Sequence, residues 1–84
     1  MEHQTLGGRE LTNGEKAAGI SFNPSNLPVV DEIKLLTAQL IDLCDKERAE
    51  PTTTAGAKRY YSKAISYLED GQMNAVKAAT WKHQ

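Results

Sequence analysis

The chain has 84 residues, and its ten basic and eleven acidic side chains give a net charge of −1. A chain of this length forms one domain at most, and its near-neutral charge argues against general binding to DNA or RNA, where a basic face dominates affinity. No stretch approaches the roughly 18 apolar residues of a membrane span, and residues 1–8 lack the basic and apolar regions of a secretory signal, which predicts a soluble protein of the cytoplasm.

So short a chain buries little surface, and it commonly needs disulfides, a metal or partner subunits to become stable. Cys44 is the single cysteine, so no intramolecular disulfide is available. His3 and His83 lie near opposite termini without metal-ligand spacing to Cys44 or to each other. Oligomerisation is the remaining route, and we predict a homo-oligomer. Cys44 itself is predicted to be a small buried apolar residue.

Residues 1–26 contain four of the six glycines and no sustained apolar period. We interpret them as an irregular N-terminal arm with one helical turn around residues 12–18, followed by a second segment, residues 27–84, that carries oligomerisation and ligand binding. Phe22 is an apolar anchor in the arm. It either docks on the following helix as a staple or contacts a ligand, and the sequence leaves both open.

A first long helix should follow the turn at residues 22–28. Ser25 or Asn26 can cap it, Pro28 and Asp31 suit its first turn, and its end is predicted near Arg48. Its apolar positions form one stripe of Val30, Ile33, Thr37, Leu40, Ile41 and Cys44, and a second stripe of Val29, Leu36 and Leu43. Two stripes are too many for a single partner helix, which again favours an oligomer.

A second helix is predicted from a cap at Thr53 or Thr54 through Ala79, with Gly71 marking a kink or a close helix contact. The short turn at residues 50–54 forces the two helices antiparallel. Residues 28–50 hold six acids and three bases, whereas residues 55–84 hold five bases and two acids, so the helices should attract each other. The predicted fold is an all-α antiparallel helical hairpin with an irregular N-terminal arm, assembled as a homo-oligomer.

Catalytic patterns are absent from the sequence. There is no metal cluster, glycine-rich phosphate loop or serine and histidine arrangement, and the paired acids Glu69 and Asp70 are typical of a solvated helix face. We therefore predict no enzymatic activity, no metal and no cofactor.

Two pairs of residues suit a nucleotide ligand, which requires a phosphate partner and a stacking ring. Lys34 lies inside the most apolar helix, after Phe22 in the arm. Arg59 precedes Tyr60, and Ser66 follows seven residues later on the same helical face. The alternatives are a lysine that extends to solvent and an ordinary surface arginine.

The order and spacing of these residues resemble the short phage anti-CBASS proteins that sequester cyclic oligonucleotides. The resemblance covers residues 31–80. It rests on Glu32-Ile33-Lys34, Leu40, Leu43, Arg59-Tyr60, Ala64, Ser66, Leu68, Gly71, Met73 and Lys77-Ala78. Three positions depart from the family pattern: Phe22 takes the place of a stacking tyrosine at a shifted spacing, Tyr60 that of a tryptophan, and Lys77 that of an arginine.

The resemblance implies a hexamer of helical hairpins that acts as a sponge in the host bacterial cytoplasm, binding cyclic nucleotide immune signals without cleaving them. It implies that Lys34, with Phe22, contacts cyclic dinucleotides, and that Arg59 and Ser66 contact cyclic trinucleotides. The residues do not separate these ligands from cyclic ADP-ribose isomers, because all combine phosphates with stackable bases. The alternative function is a purely structural hairpin that oligomerises or docks on a protein without a small-molecule ligand.

Overall fold

The computed structural model describes residues 5–6 and 8–83; residues 1–4, 7 and 84, which include His3 and part of the predicted arm, lie outside this description. Two short strands, β1 (Thr5–Leu6) and β2 (Arg9–Glu10), pair antiparallel. They are followed by α1 (Asn13–Ala18), α2 (Pro28–Ala49), α3 (Ala55–Ala79) and a short 3-10 turn, Trp81–His83. The described chain is mostly helical, and α2 and α3 form the predicted helical hairpin. Among the described helices, none is long and apolar enough to cross a membrane.

The described part of the N-terminal arm is more regular than predicted. The expected helical turn is present as α1, and a capping box starts it: the Thr12 side chain accepts from the Glu15 backbone N–H, and the Glu15 carboxylate accepts from the Thr12 N–H at 2.8 Å. Gly19 ends α1 in the left-handed conformation, with φ of 67°. The predicted helical turn is therefore confirmed, and it is well defined because a side-chain cap at Thr12 starts it and a left-handed glycine at Gly19 ends it.

Helix α2 starts without the side-chain cap that the sequence predicted. Its N-cap residue is Leu27, and Pro28 occupies the first turn as expected. Asn26 adopts a left-handed φ of 56°, so the chain turns before the helix begins. Ser25 instead stabilises that turn, where its hydroxyl accepts from the Leu27 N–H at 3.3 Å and donates to Asn23 Oδ1 at 2.6 Å.

Helix α3 begins and ends as predicted. The Thr54 side chain accepts from the Ala57 N–H at 3.2 Å, and the helix continues unbroken to Ala79. Gly71 lies within it without a close neighbour, since a Cβ added there would meet nothing within 4 Å. The expected close contact at Gly71 is therefore not made within the described chain.

The core is small and lies mainly between α1 and α2. The buried apolar residues of the described chain are Leu11, Ala18, Val30, Ala38, Ile41 and Cys44. Within α3, Gln72 alone is buried, and the apolar face that the helix turns toward α2 is only half covered. Of the first stripe predicted for α2, Val30, Ile41 and Cys44 are buried, but Leu40 is exposed and lies with the second stripe of Val29, Leu36 and Leu43, which is exposed.

Candidate ligand-binding residues

Phe22 and Lys34 lie together where the loop after α1 crosses α2. The Lys34 ammonium is 5.4 Å from the centroid of the Phe22 ring, which is within the range of a cation–π contact. The ring itself is 69% exposed. The structure therefore brings together a cation and an exposed aromatic face, although 12 residues separate them in sequence.

The Lys34 side chain is buried, and its ammonium binds the protein's own backbone. It donates to the carbonyl oxygen of Gly19 at 3.1 Å and to that of Phe22. These bonds fasten both ends of the loop at residues 19–22 to α2. An ammonium has three N–H donors, so two of them have backbone partners and one is left for another acceptor. Lys34 is thus a loop-fastening residue in the described chain.

The arm is tied to α2 at its other end by carboxylates. Asp42 accepts from the Thr12 hydroxyl at 2.6 Å and from the Gly14 backbone N–H at 2.8 Å. Asp45 accepts from the Asn13 side-chain amide at 3.2 Å. These acceptors face the N-terminal end of α1, where unpaired N–H groups and the helix dipole favour negative charge. The arm and the hairpin consequently share one core.

An ion pair inside the arm reinforces the start of α1. Arg9 makes two bonds to the Glu15 carboxylate, each 2.7 Å long. The guanidinium, together with the Thr12 N–H, lowers the pKa of Glu15 from its ordinary 4.5 to about 2, and the same carboxylate raises the pKa of Arg9. Glu15 therefore remains ionised throughout the physiological range.

The second candidate group is on the exposed side of α3. The Arg59 guanidinium lies 5.1 Å from the centroid of the Tyr60 ring, and the Lys63 ammonium lies 5.3 Å from the same centroid. Tyr60 is 61% exposed. Sequence reasoning identified Arg59 and Tyr60 but missed Lys63, whose signal was its position one helical turn after both. The three residues form what we call the cation–tyrosine cluster.

Ser66 lies on the face of α3 that also carries Arg59, two turns further along. It is exposed, and its hydroxyl donates to the Ser62 carbonyl oxygen at 3.4 Å, a long bond that a ligand can replace. From residue 51 to residue 68 the chain has three basic residues, Lys58, Arg59 and Lys63, and no acidic one. This segment of the chain is therefore positively charged although the whole chain is not.

The two groups occupy opposite ends of the hairpin. Arg48 donates to the Ser62 hydroxyl at 3.1 Å, which places Arg59 near the turn between α2 and α3. The buried Gln72 donates to the Ala18 carbonyl at 2.8 Å, which places it at the end that carries Lys34. Thirteen residues of helix between Arg59 and Gln72 span about 20 Å. A single small ligand therefore cannot touch both groups in one chain.

The described residues contain no group of three His, Cys, Asp or Glu side chains that could hold a metal ion, and no enclosed pocket is found in this part of the single chain. The Phe22 ring and the cation–tyrosine cluster are exposed, whereas Lys34 is buried. Comparisons with protein-family models, curated proteins and solved structures found no match to this chain.

Proposed function

We propose that this protein is a non-catalytic sponge: a homo-oligomer of helical hairpins that sequesters cyclic nucleotide immune signals in a bacterial host. The cation–tyrosine cluster is the observation that carries the proposal. It presents the exposed ring of Tyr60 with the guanidinium of Arg59 and the ammonium of Lys63 beside it, at 5.1 and 5.3 Å from the ring centroid. A cyclic oligonucleotide needs both a flat surface for its bases and positive charge for its phosphates.

The chemistry of the cluster suits recognition better than turnover. Base stacking on an aromatic ring contributes about 1–3 kcal/mol, and a charge-assisted hydrogen bond to phosphate contributes about 1.5–3 kcal/mol. A sponge must bind its ligand more tightly than the immune effector does, and each tenfold advantage requires about 1.4 kcal/mol. A few such contacts from neighbouring chains provide that margin. Ser66 adds a hydroxyl on the same side of α3 as Arg59.

The Phe22 and Lys34 group is proposed as the cyclic dinucleotide site on the resemblance and on their mutual contact. A phosphate there binds the third N–H of the Lys34 ammonium, because the carbonyls of Gly19 and Phe22 occupy the other two. The exposed Phe22 ring supplies the stacking surface. This site therefore requires the loop at residues 19–22 to be in place before the ligand arrives.

One observation favours the rival function, a structural hairpin without a small-molecule ligand. The bonds from Lys34 to its own backbone explain a buried lysine without any ligand. The cation–tyrosine cluster supports the sponge, because it offers the ring and the cations that a nucleotide needs, whereas in the rival function Arg59 and Lys63 are ordinary surface charges. The two functions differ in one measurable property, which is binding of a cyclic nucleotide.

Isothermal titration calorimetry with a cyclic dinucleotide and with a cyclic trinucleotide tests the proposal, and chromatography of the recovered ligand shows whether it is intact. We expect binding with no cleavage. Arg59→Ala should weaken trinucleotide binding roughly tenfold to a hundredfold, since it removes a charge-assisted bond. Lys58→Ala is the matched control, because it removes the same charge from the adjacent position, which faces away from the Tyr60 ring.

An equal loss of affinity in Arg59→Ala and Lys58→Ala would show that only general charge matters. Absence of binding of either class of nucleotide to the wild type would leave the structural hairpin as the function. Cleaved ligand in the recovered sample would contradict the prediction that the protein is not an enzyme.

A further inference from the structure

The side of the hairpin opposite α1 is an apolar surface. On α2 it carries the exposed side chains of Val29, Leu36, Leu40 and Leu43, which are 45–59% accessible. At 100° per residue these four positions fall on one stripe, and the stripe lies away from Ala38 and Asp42, which face α1. On α3 the adjoining stripe consists of Ala64, Tyr67, Gly71 and Ala78. We call this combined surface the outer face.

The chain exposes more surface than a compact monomer of its size. Its accessible area is 6099 Å², whereas a folded monomer of 9.2 kDa exposes about 4,900 Å². Its radius of gyration is 14.3 Å, against about 12 Å for a compact chain of this length. The excess of about 1,200 Å² exceeds the roughly 800 Å² that each partner buries in a standard stable interface. A second copy on the outer face would cover part of this exposed area.

Charge and size select one arrangement of the two copies. Residues 28–50 have a net charge of −3, from six acids and three bases, and residues 55–84 have +3, from five bases and two acids. Opposite charges attract and like charges repel, so α2 of one copy should face α3 of the other. The large side chains of the outer face on α2 then meet a stripe of α3 that includes small residues, with open space above Gly71.

From these observations we propose that two copies pair through their outer faces in a four-helix bundle, with a twofold axis parallel to the helices and α2 of each copy against α3 of its partner. The proposal specifies an interface for the oligomer of the proposed function and rests on that part of it. Rotation about an axis in this direction leaves the position of each residue along the bundle unchanged. Within one chain, Arg48 of α2 is hydrogen-bonded to Ser62 of α3, so these two residues are at the same level of the hairpin. Leu40 is eight residues before Arg48 and Gly71 is nine residues after Ser62, so Leu40 and Gly71 are also at one level. Leu40 of one copy therefore faces Gly71 of the other.

Analytical ultracentrifugation of matched leucine variants tests the surface. Leu36→Glu and Leu40→Glu place a charge on the outer face and should raise the dissociation constant of the pair about a hundredfold or more, because the charge is buried without a partner. Leu35→Glu is the control. Leu35 is 48% exposed, close to the 45% of Leu40, but it points away from the outer face. It should sediment as the wild type does.

Cysteine cross-linking tests the arrangement and does not require the charged variants to fold. In a Cys44→Ser background, Leu40→Cys protein and Gly71→Cys protein are unfolded together, refolded as a mixture and oxidised. A disulfide-linked dimer should form in the mixture and in neither protein alone. A dimer from Leu40→Cys alone would place α2 against α2 and overturn the arrangement, as would a mixture that forms no dimer.

The outcomes separate this proposal from nucleotide binding, which Arg59→Ala tests independently. An oligomeric wild type whose size is unchanged by Leu36→Glu and Leu40→Glu would overturn the outer face as the interface, while the oligomer itself would stand. A monomeric wild type would overturn both. Dissociation by Leu35→Glu to the same extent as by Leu40→Glu would also overturn the proposal, because the effect would then not be specific to the outer face.

Discussion

Replacing Lys34 by methionine should destabilise the protein by detaching the loop after α1. Methionine preserves most of the apolar stem but removes the ammonium, which leaves the carbonyls of Gly19 and Phe22 without their donor. A hydrogen bond to a charged group contributes about 1.5–3 kcal/mol. Two such bonds are lost, but the desolvation cost of the buried ammonium is recovered, so we expect a net loss of about 2 kcal/mol in the free energy of unfolding.

For a domain of this size, 1 kcal/mol corresponds to about 4–8 °C in the melting temperature, so Lys34→Met should melt about 8–16 °C below the wild type. Circular dichroism at one fixed protein concentration measures this, because the stability of an oligomer depends on concentration. Lys46→Met is the control, since Lys46 is an exposed lysine on the same helix, and its change should stay within about 0.5 kcal/mol. Equal melting temperatures for Lys34→Met and the wild type would refute the loop-fastening role.

Two further predictions concern the contacts of α1. Arg9 lowers the folded-state pKa of Glu15 from 4.5 to about 2, so the contribution of Glu15 to stability is complete above about pH 4.5 and disappears as the pH falls through about 2. Acid titration monitored by circular dichroism should therefore show a smaller change over this pH range in Glu15→Gln than in the wild type. The same profile in both proteins would contradict the ion pair. Gly14→Ala should destabilise the protein by about 1–3 kcal/mol in urea unfolding, because the added Cβ would lie 2.7 Å from Asp42 Oδ1 and force α1 away from α2. Gly56→Ala is the control: the added Cβ meets open space, so the substitution should be neutral or slightly stabilising. Equal effects of the two substitutions would contradict the packing of α1.

Local signals were sufficient to predict the hairpin. Thr54 caps α3 because its side chain reaches the N–H three residues later, and that pattern is readable from sequence alone. Pro51 and the neighbouring threonines indicated the turn in the same way. Propensity and caps act over a few residues, so both helices were predicted with bounds close to those observed.

The docking of the arm depends on contacts that no local pattern reports. The bonds from Thr12 and Gly14 to Asp42 join residues that are 30 and 28 positions apart, and nothing in the sequence pairs them. The cap of α2 was misassigned for a different reason. Both Ser25 and Asn26 are good cap residues, but the left-handed backbone at Asn26 moves the helix start beyond them.

The partners of the candidate site residues were likewise not predictable from local sequence patterns alone. Charge pattern selected Lys34 as a cation within an apolar helix, but its partners are backbone carbonyls, which have no sequence signature. Arg59 and Tyr60 are adjacent, so their contact was expected, whereas Lys63 was missed although the predicted helix places it one turn after both.

The different environments of Lys34 and Arg59 decide how binding data on each should be interpreted. Lys34 holds the loop that carries Phe22, so its removal displaces the proposed stacking ring as well as the proposed phosphate partner. A loss of dinucleotide affinity in a Lys34 variant therefore follows from either a direct or an indirect role. Arg59 is exposed, and its hydrogen bond and ring contact within the described residues are to the neighbouring Tyr60, so we expect its removal to leave the fold unchanged. The effect of Arg59→Ala on binding consequently measures recognition itself, and it is the substitution on which the sponge proposal depends most directly.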